Sequence, residues 1–171
     1  MSSELTVDLT IPFVLKELLE SSRKIIVKVL KYTNPIVFKV FLVEKGVFHT
    51  VDISTQIDLT CSKLFYIEIV QLNCTASLHV IVDEDGKFAA ISPEKSRKPL
   101  DYLFCLFISV ALAEMENTII EDDNELLKYG NEISAIIVEE MIAINKDFDT
   151  IQIAAEEIYR IFFTSYLKKK K

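Results

Sequence analysis

Apolar and polar positions follow two different periods along this chain, and the change falls at Pro99. Before it, apolar residues come in short or alternating runs. Leu5, Val7 and Leu9 face one way while Thr6, Asp8 and Thr10 face the other, the period-2 signature of a strand. Thr10–Ile11–Pro12 has the form of a helix start, with proline near the first helical position. It predicts a short helix over Phe13–Ser22 that buries Leu15, Leu18 and Leu19.

Seven further runs follow, at Lys24–Lys31, Ile36–Val43, Val47–Ile53, Gln56–Leu59, Leu64–Leu72, Ser77–Val82 and Lys87–Ile91. They are rich in Val, Ile, Phe and Tyr, which suit a pleated, half-buried surface. Turn chemistry separates them. Asn34–Pro35 and Glu44–Lys45–Gly46 can each close a hairpin, and Asp83–Glu84–Asp85–Gly86 offers a glycine for positive φ. Consecutive strands with such short links predict an antiparallel meander rather than βαβ units.

After Pro99 the period lengthens. Pro99–Asn117 reads as a helix apolar on nearly every side, hence the innermost one. Its longest apolar run, Leu103–Ala113, softened only by Cys105 and Ser109, is too short for a membrane span. A span requires about 20 apolar residues. A second helix follows Asp122 and Asp123, with Leu126, Ile133, Ile137, Met141 and Ile144 on one stripe and Gly130 inside it. Asp149 and Gln152 have capping-box spacing for a third, which presents Ile151, Ala154, Ala155, Ile158, Ile161 and Phe162. The expected fold is α+β: an antiparallel meander sheet of about five to seven strands, with a short N-terminal helix, packed against three C-terminal helices. Ser92–Lys98 is the only hinge candidate, and 171 residues match the size of one domain.

Charge sharpens this division. The net −7 resolves into zero over residues 1–98 (12 acids, 12 bases), −11 over residues 99–167 (14 acids, three bases) and +4 in the tail Lys168–Lys171. The acidity therefore belongs to the helical part. An acidic chain with three glycines has neither the basic surface for binding nucleic-acid phosphates nor a Gly-rich phosphate loop. Three widely spaced cysteines, Cys61, Cys74 and Cys105, form no CxxC and suit a reducing compartment, the cytoplasm. Glu4 and Asp8 stand where a secretory leader would be basic.

Candidate chemistry is sparse. His49 shares the apolar side of its strand with Val47 and Val51, and His79 falls opposite Leu78 and Val80. Neither accompanies a nucleophile elbow or a metal-ligand spacing. Cys105 lies in the most apolar helix, whereas Cys61 and Cys74 flank a strand and are the thiols open to exposure. The helical carboxylates lack the Glu-x-x-His pattern of di-metal bundles, and Asp83–Gly86 does not fit calcium-loop spacing. No metal and no cofactor is expected.

The expected function is therefore a non-catalytic acidic protein-binding module, of the kind found in immunity or antitoxin-type inhibitors, phage-type inhibitors and secretion chaperones. Asp122, Asp123, Glu125, Glu139, Glu140, Glu156 and Glu157 would meet a basic protein partner, with no direct nucleic-acid binding and no membrane. The alternative is a small enzyme or ligand-binding domain whose pocket, between sheet and helices, uses His49 or His79. Because Ile36–Val43 is apolar on both faces, it is either covered on both sides or part of an interface, which leaves room for a homodimer.

Overall fold

A computed structural model describes residues 4–94, 97–122, 134–144 and 148–163. The fold is α+β. In chain order it comprises β1 (Leu5–Asp8), β2 (Phe13–Val14), α1 (Leu15–Leu30), β3 (Phe38–Glu44), β4 (Val47–Thr50), β5 (Gln56–Ile57), β6 (Lys63–Ile69), a 3-10 turn (Val70–Leu72), β7 (Cys74–Val82), β8 (Lys87–Pro93), α2 (Pro99–Glu116), α3 (Ser134–Ile144) and α4 (Ile151–Phe162). Six strands form one antiparallel sheet in the order β1-β8-β7-β6-β3-β4, while β2 and β5 pair separately.

The first departure from the sequence expectation lies in the N-terminal third. Pro12 leads into β2, not a helix, and α1 begins at Leu15 and runs through the predicted strand Lys24–Lys31. Its buried positions, Leu15, Leu18, Leu19, Ser22, Ile25, Ile26, Val29 and Leu30, form one continuous 3.6-residue stripe, so the helical period wins over local β-propensity. The first amides of α1 need no side-chain cap, because the loop before β5 supplies their acceptors. Leu15 N–H donates to the Thr55 carbonyl at 3.3 Å, and Lys16 N–H to the Ile53 carbonyl at 2.7 Å.

The hairpins are built as their residues require. Lys45 and Gly46 both have positive φ (49° and 78°), the conformation of the two-residue turn that matches strand twist between β3 and β4. Gly86, in contrast, is not among the positive-φ residues. There the Asp83 carboxylate closes the turn, accepting from the N–H groups of Asp85 and Gly86 at 3.0 and 2.9 Å.

One face of the sheet is buried. Leu5 and Val7 of β1, Ala89 and Ile91 of β8, Ala76, Leu78 and Val80 of β7, Phe65 and Ile67 of β6 and Val40 of β3 stand in register across it. α2 packs against β1, β7 and β8 on one side and against α1, α3 and α4 on others. Every residue of α2 from Leu100 to Ala113 is buried, Asp101 and Ser109 included, as expected of a helix apolar on nearly every side. Asn117, at φ 53°, ends the helix in the left-handed conformation. The result is a Schellman motif. Thr118 N–H donates to the Ala113 carbonyl at 2.9 Å, and Asn117 N–H to the Glu114 carbonyl at 3.2 Å. No helix among the described residues is long and apolar enough to cross a membrane.

α4 is capped one residue later than its sequence suggests. Thr150, not Asp149, is the N-cap, a role suited to its hydroxyl. That hydroxyl accepts from Ile153 N–H at 3.2 Å. The predicted stripe residues Leu126 and Ile133, together with Gly130, lie outside the described residues.

Candidate interaction surfaces

The seven carboxylates expected on the helical surface do not form one set. Asp123 and Glu125 lie outside the described residues. Asp122 is buried, with 5% of its surface exposed, and does not contribute to an exposed face. Its neighbour Glu121 forms a two-hydrogen-bond bridge with Thr6 of β1, which draws this segment against the sheet edge. Glu139 is exposed and Glu140 half-buried on α3, off the buried positions Ile137 and Met141. On α4, Glu156 is exposed and accepts from the Gln152 amide at 3.2 Å. Half-buried Glu157 pairs with the Arg160 guanidinium at 2.8 Å. α3 and α4 pack on each other, so the two glutamate pairs belong to neighbouring helices.

The histidines do not converge. His49 is in register with Leu42, Phe65 and Leu78, on the side of the sheet that the helices cover, yet it is exposed because β4 is an edge strand with every residue exposed. This corrects its assignment to an apolar environment: strand parity is right, but cover is missing. His79 is exposed on the opposite face, between Leu64 and Ala90. Two exposed imidazoles on opposite faces share no pocket. Among the described residues no three His, Cys, Asp or Glu side chains gather closely enough to hold a metal ion.

The thiols divide sharply. Cys61 is exposed, whereas Cys74 and Cys105 are buried. Burial first, and then the nearby Asp101 carboxylate, pushes both buried thiols up from their ordinary pKa. Thiolate is the reactive form, so only Cys61 is expected to react with iodoacetamide at pH 8 in the folded protein. Peptide mass mapping should find Cys74 and Cys105 labelled only after unfolding, roughly a hundredfold slower or more under native conditions. Comparable labelling of all three would contradict this packing.

Strand register also assembles a surface that no single segment announces. On the sheet face turned away from α2 stand Phe41, Val43, Phe48, Leu64, Tyr66, Ile81 and Phe88. The Phe41, Phe48 and Tyr66 rings lie 5.7–6.3 Å apart, centre to centre, and Phe48 is 56% exposed. At one end an open cleft of about 440 Å³ is lined by Phe48, Tyr66, Glu68, Asn73, Thr75, Glu94 and Lys98. Partial burial there raises the Tyr66 hydroxyl pKa. Repulsion from Glu68, Glu94 and Asp101 adds to the rise, against the lowering effect of a hydrogen bond with Thr75. Alternation along the strand from Ile36 does put Phe41 and Val43 beside Lys39, but joining them to Phe48 and Tyr66 requires long-range register. No family model, curated protein or solved structure matches the chain.

Proposed function

We propose that this chain is a non-catalytic acidic module that docks a basic protein partner in the cytoplasm, as immunity or antitoxin-type inhibitors, phage-type inhibitors and secretion chaperones do. The observation that carries the reading is charge segregation. Residues 99–167 sum to −11 while residues 1–98 sum to zero, and Glu139 and Glu156 are exposed on the neighbouring helices α3 and α4. Such a field steers a cationic protein and sets specificity more than it sets affinity. Glu140 and Glu157 contribute at the flank, Glu157 with its charge partly offset by Arg160. A reducing compartment is supported by the exposed free thiol of Cys61.

The test starts from a partner recovered by affinity capture in the native host. The fourfold variant Glu139→Lys, Glu140→Lys, Glu156→Lys and Glu157→Lys should slow association by about tenfold or more at low salt and flatten its salt dependence. An unchanged association rate in a folded variant would refute the acidic helical surface as the docking site.

A further inference from the structure

We propose that the face of the six-stranded sheet on which none of the described helices packs is a self-association surface, on which a second copy of this chain packs sheet against sheet. The inference is independent of the acidic helical surface. It starts from the composition of the face. Scattered exposed apolar residues are ordinary, but Phe41, Phe48 and Tyr66 form a mutually touching aromatic cluster at the surface, continued by Val43 and Leu64 in adjacent register. Across β7 and β8 the polar positions Ser77 and Ser92 are small and bond to each other at 2.9 Å, so the charge on this face is confined to positions such as Lys39 and Glu68.

Size and charge both select a second copy. Six strands about 4.8 Å apart and averaging about six residues at ~3.3 Å each present roughly 600 Å² in projection, the order of the ~800 Å² that each partner buries in a standard stable interface. Lys39 and Glu68 stand opposite each other across β3 and β6, and Lys98, Glu68 and Glu94 line the same cleft. The face is therefore not built for a partner of one sign. A dimer formed through it keeps the acidic helices α2, α3 and α4 on the two outer sides, away from the interface. Face-to-face packing of two twisted sheets about 10 Å apart, related by a two-fold axis, is an ordinary solution for such surfaces. It would bury the Phe48 ring, which the monomer leaves exposed, and complete the burial of the half-buried Tyr66 ring.

Sedimentation of the full chain from 1 to 100 µM tests this. The expected result is a dimer at twice the 19.6 kDa chain mass. Phe48→Asp combined with Tyr66→Lys should weaken dimerisation at least thirtyfold while leaving the far-ultraviolet circular dichroism unchanged. His79→Glu, a change at an already exposed site on the same face, adds a charge that the interface would have to desolvate and should weaken the dimer several-fold. It serves if the double variant fails to fold. Glu139→Lys with Glu156→Lys should leave the dimer intact. A wild-type chain monomeric at 100 µM overturns the proposal. So does a dimer insensitive to a folded double variant, or to His79→Glu where the double variant does not fold.

Discussion

Truncating Phe104 to alanine is expected to lower the unfolding free energy by about 3–5 kcal/mol, the range for removing a large aromatic side chain from a packed core. Phe104 is 1% exposed within α2, and its ring stacks 6.3 Å from that of Phe38 on β3. The magnitude of such a loss depends on how far the surroundings collapse into the space left behind. Collapse is restricted here because α2 is held by the sheet and by three other helices at once. At roughly 2–4 °C per kcal/mol for a chain of this length, the melting temperature should fall by about 10 °C. Urea denaturation would show a lower midpoint at an unchanged slope, which separates lost stability from a change in unfolded-state compactness. Measured on the monomer, below the concentration at which copies associate, Phe48→Ala, which removes an equally large ring from an exposed edge strand, should cost less than about 1 kcal/mol. Equal losses at the two positions would mean that α2 is not the centre of the core.

What could be read from the residues alone was what short-range periodicity encodes. The all-round apolar character of Pro99–Asn117 marked the innermost helix, and the runs Leu64–Leu72 and Lys87–Ile91 marked strands. Local reading failed where two patterns competed over the same residues. Lys24–Lys31 is rich in Ile and Val and reads as a strand by itself, yet Ile25, Ile26, Val29 and Leu30 extend the stripe begun at Leu15. Taking the window from Leu15 as a whole would have shown one helix. Other features depend on pairings that no local pattern contains. The exposure of His49 follows from β4 lying at the edge of the sheet, and the burial of Asp122 follows from the Glu121–Thr6 bridge. The aromatic cluster on the sheet face turned away from α2 needs the register β4-β3-β6, which joins residues as distant in sequence as Phe41 and Tyr66. Charge segregation, being a sum along the chain, was legible from the residues. The orientation of individual carboxylates was not.

The other large expected effect concerns a single buried acid whose structural work is disguised by its place in an apolar helix. Asp101→Ala should destabilise the fold by about 2–4 kcal/mol, through loss of two charge-assisted hydrogen bonds and of a helix cap. Asp101 has no exposed surface. One carboxylate oxygen accepts from Lys98 N–H at 2.9 Å, satisfying the amide of the residue before α2. The other accepts from Thr75 N–H at 2.9 Å and so ties the start of α2 to β7. Alanine would leave the part-buried Thr75 donor without its acceptor, and an unmet buried donor costs more than the net worth of the bond it lost. The Asp101→Asn variant would behave differently. Its amide oxygen can keep one acceptor role, but its NH₂ cannot accept from the second backbone N–H, so about half the loss should remain. Hydrogen exchange provides the site-specific readout. In Asp101→Ala, the Thr75 amide should lose protection by more than the global change in stability explains, while amides in the β3–β4 hairpin should follow the global change alone. If Thr75 and the hairpin amides shift together, the carboxylate is not the tie between helix and sheet.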